Sequence, residues 1–258
     1  MTDRMPRISV VTPSYNQGRY LEQTLRSVLD QDYAELEYIV VDGGSTDASA
    51  EIISRYADRL AFWSSEPDGG QTDALIKGFA IATGDIMCWL NADDLFEPWT
   101  LADVGAYFAS RPEARAVYGD GTLIDAAGRP TGRKREPGFN RFIWLHDHNF
   151  IPQPSAFWRR DLYDQVGGLN PALEMSMDAD LWIRFADVTR VQHVRRDWSR
   201  IRRHREQKSR LRRADTARED RAIRRNYVRS ASPARRGATK VLAKAMRVGW
   251  KLAKGCYW

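Results

Sequence analysis

The stretch Ala82–Pro98, "ATGDIMCWLNADDLFEP", decides the fold, because a buried strand runs in it directly into a pair of carboxylates. Apolar residues fill positions 86–90, and Asp93 and Asp94 follow before Pro98 stops the run. Two adjacent carboxylates repel each other, and either one is costly to desolvate. A divalent cation at the strand end would balance these charges, since Mg²⁺ and Mn²⁺ prefer hard oxygen ligands. A polar loop with a helix cap would also explain the pattern.

The composition predicts a globular protein with one large α/β domain or a domain with an appendage. The chain has 258 residues, of which 43% are hydrophobic and 29% charged. Cys88 and Cys256 lie far apart, which favours a reducing compartment over a disulfide framework. The sequence shows neither the apolar core of a signal peptide nor a run of ~18 apolar residues. We therefore expect a cytoplasmic protein, peripheral on the inner face of the cell membrane.

The net charge of +6 is unevenly distributed along the chain. Residues 183–258 hold 24 Lys and Arg against 6 Asp and Glu, whereas residues 1–182 hold 16 against 28. Such an asymmetry indicates two tasks, and the basic part is expected to meet an anionic partner.

Strands alternate with helices in the first 98 residues. Buried strands are predicted in "RISVVTPSYN", "LEYIVVD", "LAFWSS" and "DIMCWL", and helices in "GRYLEQTLRSVLDQ" and "QTDALIKGFAIAT", the latter closed by Gly84. This order predicts right-handed crossovers and a mostly parallel sheet. Thr12, Asp42, Asp68 and Asp93 each follow a predicted strand. Since ligands bind at the carboxyl ends of such strands, we expect these four residues to converge on one edge.

The pattern changes after Pro98. A helix is predicted in "TLADVGAYFASRP", a hairpin in "AVYGDGTLIDAAGRPTGRK", and a helix after Asp178. From about residue 210 the chain becomes Arg-rich and helical, with one break at "SASPARRG". We therefore divide the chain into a domain at 1–209, with halves 1–98 and 99–209, and a basic C-terminal segment at 210–258.

Four motifs occur in order and at close spacing: "TPSYNQGRYLEQTLRSVLDQ", "YIVVDGGSTD", "SEPDGGQTDALIKGF" and "ATGDIMCWLNADDLFEP". Together they resemble the N-terminal half of a family 2 glycosyltransferase with a GT-A fold. The resemblance continues through "GGLNPALEMSMDADLWIRFA" and fades near Ser209. It implies an α/β fold with a mostly parallel sheet flanked by helices. It also implies inverting transfer of a sugar from a nucleotide sugar, a UDP-sugar, to a glycan or lipid-linked acceptor in cell-surface polysaccharide or glycolipid synthesis.

The resemblance also implies a donor site. Asp42 falls in the base-binding carboxylate pair of the family, but the second member is Gly43, so Asp42 or Asp68 is expected to accept the uracil N–H. A helix-capping turn would explain the rest of "GGSTD". Lys77 is alternatively a solvated helix charge. The expected nucleotide-sugar-binding residues are Thr12, Pro13, Tyr15, Asn16, Asp42, Asp68, Gln71, Lys77, Asn91 and Ala92.

The metal and the base are implied in the same way. "N-A-D" at 91–93 stands where the family has D-x-D, which gives Asp93 as a ligand of Mg²⁺ or Mn²⁺. His204 matches a histidine near the metal or diphosphate, although it could be a surface residue. Asp178 in "MDAD" matches the general base, which an inverting transfer needs to deprotonate the acceptor hydroxyl; alternatively it caps a helix. Asp180 and Trp182 are expected beside the acceptor.

The C-terminal stretch "ARRGATKVLAKAMRVGWKLAKGCYW" has a helical period. Basic residues recur at intervals of three and four and form a stripe, with apolar residues on the other sides. Such a helix can lie in the interface of an anionic membrane. It could instead pack on the domain with its basic face in solvent. Few aromatic residues and no known module argue against nucleic acid. The stripe consists of Arg236, Lys240, Lys244, Arg247, Lys251 and Lys254.

Two other functions fit parts of the sequence. A non-catalytic sugar-nucleotide-binding or scaffold protein on a decayed GT-A fold would explain the departures at Gly43, Ile76 and Asn91. Retention of Asp93 and Asp178 argues against it. A nucleotidyltransferase would need a glycine-rich phosphate loop with an activating Arg and Lys, which "TPSYNQGRY" does not contain.

Overall fold

The computed structural model describes residues 5–228 and 233–256. For residues 233–236 it describes the backbone but not the side chains. Within the described residues nine strands form one sheet in the order β3-β2-β1-β4-β8-β6-β9-β5, with β7 paired to β6. The strands are β1 (Ile8–Ser14), β2 (Leu36–Asp42), β3 (Phe62–Ser65), β4 (Ile86–Trp89), β5 (Leu95–Phe96), β6 (Ala116–Ile124), β7 (Pro130–Lys134), β8 (Ala156–Arg159) and β9 (Val191–Arg202).

Ten helices accompany these strands in the described part of the chain. They are α1 (Gly18–Leu29), α2 (Ser49–Ser54), α3 (Gln71–Ile81), α4 (Thr100–Ala109), α5 (Arg141–His146), α6 (Arg160–Gln165), α7 (Met177–Val188), α8 (Lys208–Leu211), α9 (Arg213–Tyr227) and α10 (Pro233–Ala253). Two short 3₁₀ turns lie at Ala57–Arg59 and Gln153–Ser155.

The predicted α/β fold with a mostly parallel sheet is confirmed. The strands β3, β2, β1 and β4 are all parallel. The ends of β1, β2 and β3 are in register, with Asp42 opposite Ser14 and Ser65, and β4 ends at Trp89 opposite Val11. The antiparallel strand β8 joins β4 to β6, and β6 runs parallel to β9. Because β1, β2 and β4 are apolar and almost fully buried, only their carboxyl ends can present polar groups to a ligand.

The two long helices of the first half form where the apolar spacing predicts them. Helix α1 buries one face, made of Tyr20, Leu21, Thr24, Leu25, Val28 and Leu29. Helix α3 ends at Ile81, three residues before Gly84. Gly84 is needed for a different reason than helix closure, because a Cβ there would lie 2.5 Å from Ser9 Oγ and 2.7 Å from Ser9 N.

The sequence does not predict strands β5, β8 and β9, and β9 is the longest of them. Strand β9 carries four arginines among its twelve residues, so it lacks the apolar run of a buried strand. It lies between β6 and β5, with Trp198 and Arg202 fully buried. The predicted hairpin, by contrast, is present as β6 and β7, with Gly121 opposite Lys134.

The C-terminal segment packs on the domain. Helix α9 buries Glu219 and Ile223, and α10 buries Ala243. On α10, Arg247 Nε contacts Asp147 Oδ2 at 2.5 Å, and Lys251 Nζ contacts Glu136 Oε1 at 3.0 Å. These two members of the basic stripe therefore face the domain, which corrects the expectation of one solvated basic face.

Arg236, the first member of that stripe, lies outside the described side chains. In residues 5–228 and 233–256 we find no helix with the length and apolar character needed to cross a membrane.

Candidate donor and catalytic site

The segment after β4 holds two carboxylates, Asp93 and Asp94, in different surroundings. Asp93 keeps 17% of its side chain exposed, and its Oδ2 lies 3.0 Å from His204 Nε2. The His204 ring is buried 4.8 Å from the Tyr20 ring, and its Nδ1 has no hydrogen-bond partner among the described residues. Asp93 and His204 thus form a pair at the carboxyl end of β4, although 111 residues separate them.

Asp94 turns inward and has a structural part. Its Oδ1 accepts a hydrogen bond from Arg202 N at 2.8 Å, and its Oδ2 accepts one from Asn91 Nδ2 at 3.3 Å. Burial, reinforced by the neighbouring charge of Asp93, raises the pKa of Asp94 well above its usual range. Asp94 therefore joins β4 to β9 and leaves Asp93 as the outward carboxylate.

The side chain of Arg202 completes this connection. Its Nε donates to Asp93 O at 2.7 Å, its Nη2 donates to Gln23 Oε1 at 2.8 Å, and its guanidinium lies over the Tyr20 ring at 4.8 Å. A buried guanidinium must have its donors satisfied, and here they fix the backbone that carries Asp93.

Asp93 and His204 suit a divalent cation. Mg²⁺ in proteins is held by one or two side chains together with waters and substrate phosphates, at about 2.1 Å in an octahedron. Asp93 Oδ2 and His204 Nε2 lie 3.0 Å apart, so both atoms face the same point at the end of β4 and could contact one ion there. Within residues 5–228 and 233–256, no third His, Cys, Asp or Glu completes a cluster. The remaining ligands would have to come from a diphosphate and water.

Asn91 stands beside this pair in a network of amides. Gln71 Nε2 donates to Asn91 Oδ1 at 2.8 Å, and Asn91 Nδ2 donates to Gln153 Oε1 at 3.1 Å. Gln153 in turn donates to Trp89 O at 2.9 Å. The structure thus brings Gln71 of α3 and Asn91 together at the end of β4. Ala92 is buried, and its carbonyl accepts from Thr24 Oγ1 at 2.9 Å.

The loop after β1 is only partly open. Tyr15 and Asn16 are exposed, and Asn16 Oδ1 accepts from Thr46 N at 2.9 Å. Pro13 is buried in β1 opposite Val41. Thr12 is fully buried, and its hydroxyl lies 2.9 Å from Tyr38 Oη. This corrects the expectation for the Thr12 side chain, which cannot reach a nucleotide.

The carboxylate of Asp42 is fully buried and occupied. It accepts from Ser45 N at 2.9 Å, from Ser45 Oγ at 2.6 Å and from Ser65 Oγ at 2.7 Å. These bonds hold the "GGST" turn against β3. Asp42 therefore shapes the donor loop and has no oxygen facing a base.

Asp68 occupies the space next to Gly43. A Cβ built on Gly43 would lie 2.9 Å from both Asp68 Oδ1 and Asp68 Oδ2. The Asp68 side chain is half-buried and accepts one hydrogen bond, from Gly70 N at 2.7 Å. Its carboxylate thus stands where the second aspartate of the expected base-binding pair would be.

Lys77 lies on the outer side of α3. Its Nζ is 2.9 Å from Asp73 Oδ2, and both side chains are largely exposed. This is the geometry of a surface i,i+4 pair, which favours the solvated-charge interpretation of Lys77.

Asp178 lies in the first turn of α7, after the N-cap residue Ser176. Its Oδ2 accepts a hydrogen bond from Asn149 Nδ2 at 2.8 Å. Burial raises the pKa of Asp178 to about 6, and the charge of Asp220 adds to this effect. A carboxylic acid with such a pKa is largely ionised at neutral pH, yet basic enough to accept a proton.

The two residues expected beside the acceptor, Asp180 and Trp182, differ in burial and in their contacts. Asp180 is partly buried, and its Oδ2 accepts from Arg184 Nε at 2.8 Å. Trp182 is 2% exposed, and its ring is stacked on Trp89 at 5.7 Å. Trp182 is thus a core residue, which corrects the expectation that its side chain lies beside the acceptor.

Several residues of the site carry no sequence signal of their own. Arg202 lies in an Arg-rich run, and only the buried tryptophan at 198 could have marked that run as a strand. Asn149 and Gln153 lie in the loop before β8, where isolated amides are common. Their roles follow from tertiary contacts alone.

Known proteins resemble this chain over most of its length. The family profile described as "Glycosyl transferase family 2" matches residues 9–167. A PGL/p-HBAD biosynthesis glycosyltransferase of Mycobacterium bovis (strain BCG / Pasteur 1173P2) is 32% identical over 197 residues, which are 73% of this chain and 75% of the relative. The profile includes Asp93 and ends before Asp178 and His204.

Solved structures share the fold. The mannosyltransferase PcManGT from Pyrobaculum calidifontis, in complex with GDP-Man and Mn²⁺, has a TM-score of 0.65 and 21% identity, and the match covers 99% of this chain and 77% of that one. S. aureus TarS 1-349, in complex with UDP-GlcNAc, has a TM-score of 0.63 and 19% identity, over 78% of this chain and 60% of that one. These likenesses confirm the predicted GT-A fold.

The match of the family profile to more than half of the chain therefore shows that it belongs to glycosyl transferase family 2 and is a glycosyltransferase.

Proposed function

We propose that the chain transfers a sugar, with inversion, from a nucleotide sugar to a glycan or lipid-linked acceptor in cell-surface polysaccharide or glycolipid synthesis. The observation that carries this proposal is the pair of Asp93 and His204 at the end of β4. The donor is proposed to be a UDP-sugar. Two relatives support the acceptor class by their names, the PGL/p-HBAD biosynthesis glycosyltransferase and an O-antigen biosynthesis protein of Myxococcus xanthus that is 30% identical over 191 residues.

In this mechanism Asp93 and His204 hold Mg²⁺ or Mn²⁺, which neutralises charge on the leaving diphosphate when bound. Asn91 and Gln71 face the donor beside it. Asp178 takes the proton of the acceptor hydroxyl as that oxygen attacks the anomeric carbon. No covalent intermediate is needed, because inversion is a single displacement. Burial raises the pKa of Asp178 to about 6, which supports a general base over a non-catalytic binding protein.

The metal site is tested by calorimetry and thermal shift with UDP, GDP and their sugars, each with and without Mn²⁺. Mn²⁺ should strengthen nucleotide binding to the wild type and raise its melting temperature. Asp93→Asn is nearly isosteric and should lose the Mn²⁺ dependence. Asp103→Asn, a remote acid paired with Arg196, is the matched control. If Mn²⁺ strengthens nucleotide binding to Asp93→Asn as much as to the wild type, Asp93 is not a metal ligand.

The base is tested by the pH dependence of turnover. The raised pKa of Asp178 means that its carboxyl protonates as the pH falls through about 6, so kcat should fall along that limb. Asp178→Asn should lower kcat by a factor on the order of 10² or more. Because ionisation of the buried acid opposes folding above that pKa, the variant should be at least as stable as the wild type at pH 8. If Asp178→Asn retains most of its turnover, Asp178 is not the base and only forms part of the first turn of α7.

Base recognition is assigned to Asp68, because Asp42 is fully occupied and Gly43 has no side chain. Asp68→Asn should weaken binding of UDP by about 10- to 100-fold, the loss of one hydrogen bond to a charged acceptor. Gly43→Asp should be at least as damaging, since its carboxylate would meet that of Asp68. The double variant Gly43→Asp/Asp68→Gly moves the charge and should recover binding. Undiminished binding by Asp68→Asn would contradict the assignment.

Membrane association is proposed through the outer face of α10. Val241, Leu242 and Leu252 are 70%, 53% and 48% exposed, and Met246 lies on the same side. Lys240 and Lys244 are also exposed and lie along one flank of this apolar surface. An apolar face bordered by lysines can bind reversibly at an anionic interface.

Co-sedimentation with anionic and zwitterionic vesicles tests this association. Val241→Ser/Leu252→Ser should weaken binding about tenfold or more, because each apolar side chain contributes roughly 1.5 kcal/mol or more when buried. Leu211→Ser changes an equally exposed leucine on α8 and should have no effect. Lys240→Gln/Lys244→Gln should reduce the preference for anionic lipid. If the serine variant sediments like the wild type, α10 does not dock on membranes.

A further inference from the structure

The loop that leads into α7 is held from both sides. On one side, Thr72 Oγ1 of α3 donates to Leu173 O at 2.6 Å. Thr72 directly follows Gln71, which contacts Asn91 at the proposed donor site. The backbone before Asp178 is therefore connected to the donor side of the sheet.

On the other side, one carboxylate of α9 accepts three backbone hydrogen bonds from this loop. Glu219 accepts from Glu174 N at 3.2 Å, from Met175 N at 2.9 Å and from Ser176 N at 2.9 Å. N–H groups at a helix start have no partner within the helix, and a negative charge there is favourable. Glu219 is 9% exposed, so these bonds are shielded from water.

The next residue of α9 holds the N-cap side chain. Asp220 Oδ1 accepts from Ser176 Oγ at 2.7 Å, and Ser176 itself is buried. Ile223, one turn further, is buried in the core and fixes α9 in place. Two adjacent acids thus accept four hydrogen bonds from the residues just before α7, whose N-cap Ser176 lies two residues before Asp178.

We propose that Glu219 and Asp220 are positioning residues for the reaction, and that α9 is a working part of the catalytic domain because it holds the segment that places Asp178. The inference rests on the proposed function of Asp178 as the base. Both acids lie beyond the residues that the family profile matches, in the segment that sequence analysis separates from the domain.

The charges around Asp178 define how the two acids act. The negative charge of Asp220 raises the pKa of Asp178, and the hydrogen bond from Asn149 lowers it. On α9, Arg224 donates to Asp147 O at 2.7 Å. On α7, Asp180 is paired with Arg184. Removal of the Asp220 charge should thus ease ionisation of Asp178, whereas removal of the Asn149 amide should oppose it.

The test compares pH profiles of kcat and kcat/KM for four full-length variants. Asp220→Asn should move the acidic limb of kcat to lower pH, and Asn149→Ala should move it to higher pH. Glu219→Gln keeps the side-chain shape and should lower kcat about 10- to 100-fold through misplacement of the base, with little change in donor KM. Asp187 is an acid at the far end of α7 that pairs with Arg141. The control variant Asp187→Asn should leave the pH profile and kcat unchanged.

The outcomes separate this inference from the proposed function. If Asp178→Asn keeps its turnover, the base assignment fails, whatever the α9 variants do. If Asp178→Asn loses turnover but Asp220→Asn leaves the limb in place, the inference is overturned. If Glu219→Gln has a normal kcat, its backbone bonds are structural only. If Glu219→Gln does not fold, the inference is decided by whether the acidic limb of the kcat profile moves in Asp220→Asn.

Discussion

The buried guanidinium of Arg202 is the interaction on which the site depends. It reaches from the end of β9 to the backbone of Asp93, to Gln23 of α1 and to the face of Tyr20. An arginine that is 0% exposed must satisfy its donors inside the protein, and breaking one such bond leaves a buried N–H group without a partner. The end of β4 and the end of β9 are therefore fixed to each other. His204, two residues beyond Arg202, comes to Asp93 as a consequence.

This dependence explains which parts of the structure the sequence predicts. Helix α1 and strands β1, β2 and β4 follow from local apolar patterns, and so does the convergence of polar residues at their ends. Strand β9 does not, because its arginines are stabilised by acids that are distant in sequence, such as Glu97, which accepts from Arg200 at 2.8 Å. The residues of the site also divide into those that local patterns predict and those that depend on tertiary contacts. Asp93 is visible as a strand end, whereas Arg202 and Asn149 are visible only through tertiary contacts.

Two residues show how local patterns mislead about side-chain roles. Trp182 lies four residues after the proposed base, one turn further along the same side of α7, so its spacing suggests a place beside the acceptor. Its indole packs on Trp89 instead. Gly43 looks like the loss of a recognition group. The close approach of Asp68 shows that the missing side chain leaves room for another carboxylate.

The uneven charge of the chain also has an internal explanation. Arg247 and Lys251 of the basic half face Asp147 and Glu136 of the acidic half, and Arg212 pairs with Glu174 in the loop before α7. Part of the excess charge thus binds the C-terminal helices to the domain and is not available for a partner. With these residues turned inward, α10 presents apolar residues to the outside, so a membrane would meet a surface different from the one that the basic stripe suggests.

Three carboxyls illustrate how surroundings assign roles to identical groups. Asp94 is buried beside Asp93, which raises its pKa well above the usual range and suits it to a fixed hydrogen-bond network. Asp93 keeps contact with solvent and faces an imidazole nitrogen, an arrangement that suits a cation ligand. Asp178 lies between these extremes, because burial and Asp220 raise its pKa while Asn149 stabilises the ionised form. The proposed ligand Asp93, the supporting Asp94 and the proposed base Asp178 thus differ by their burial and neighbours alone, and those neighbours come from α9, β9 and the loop before β8.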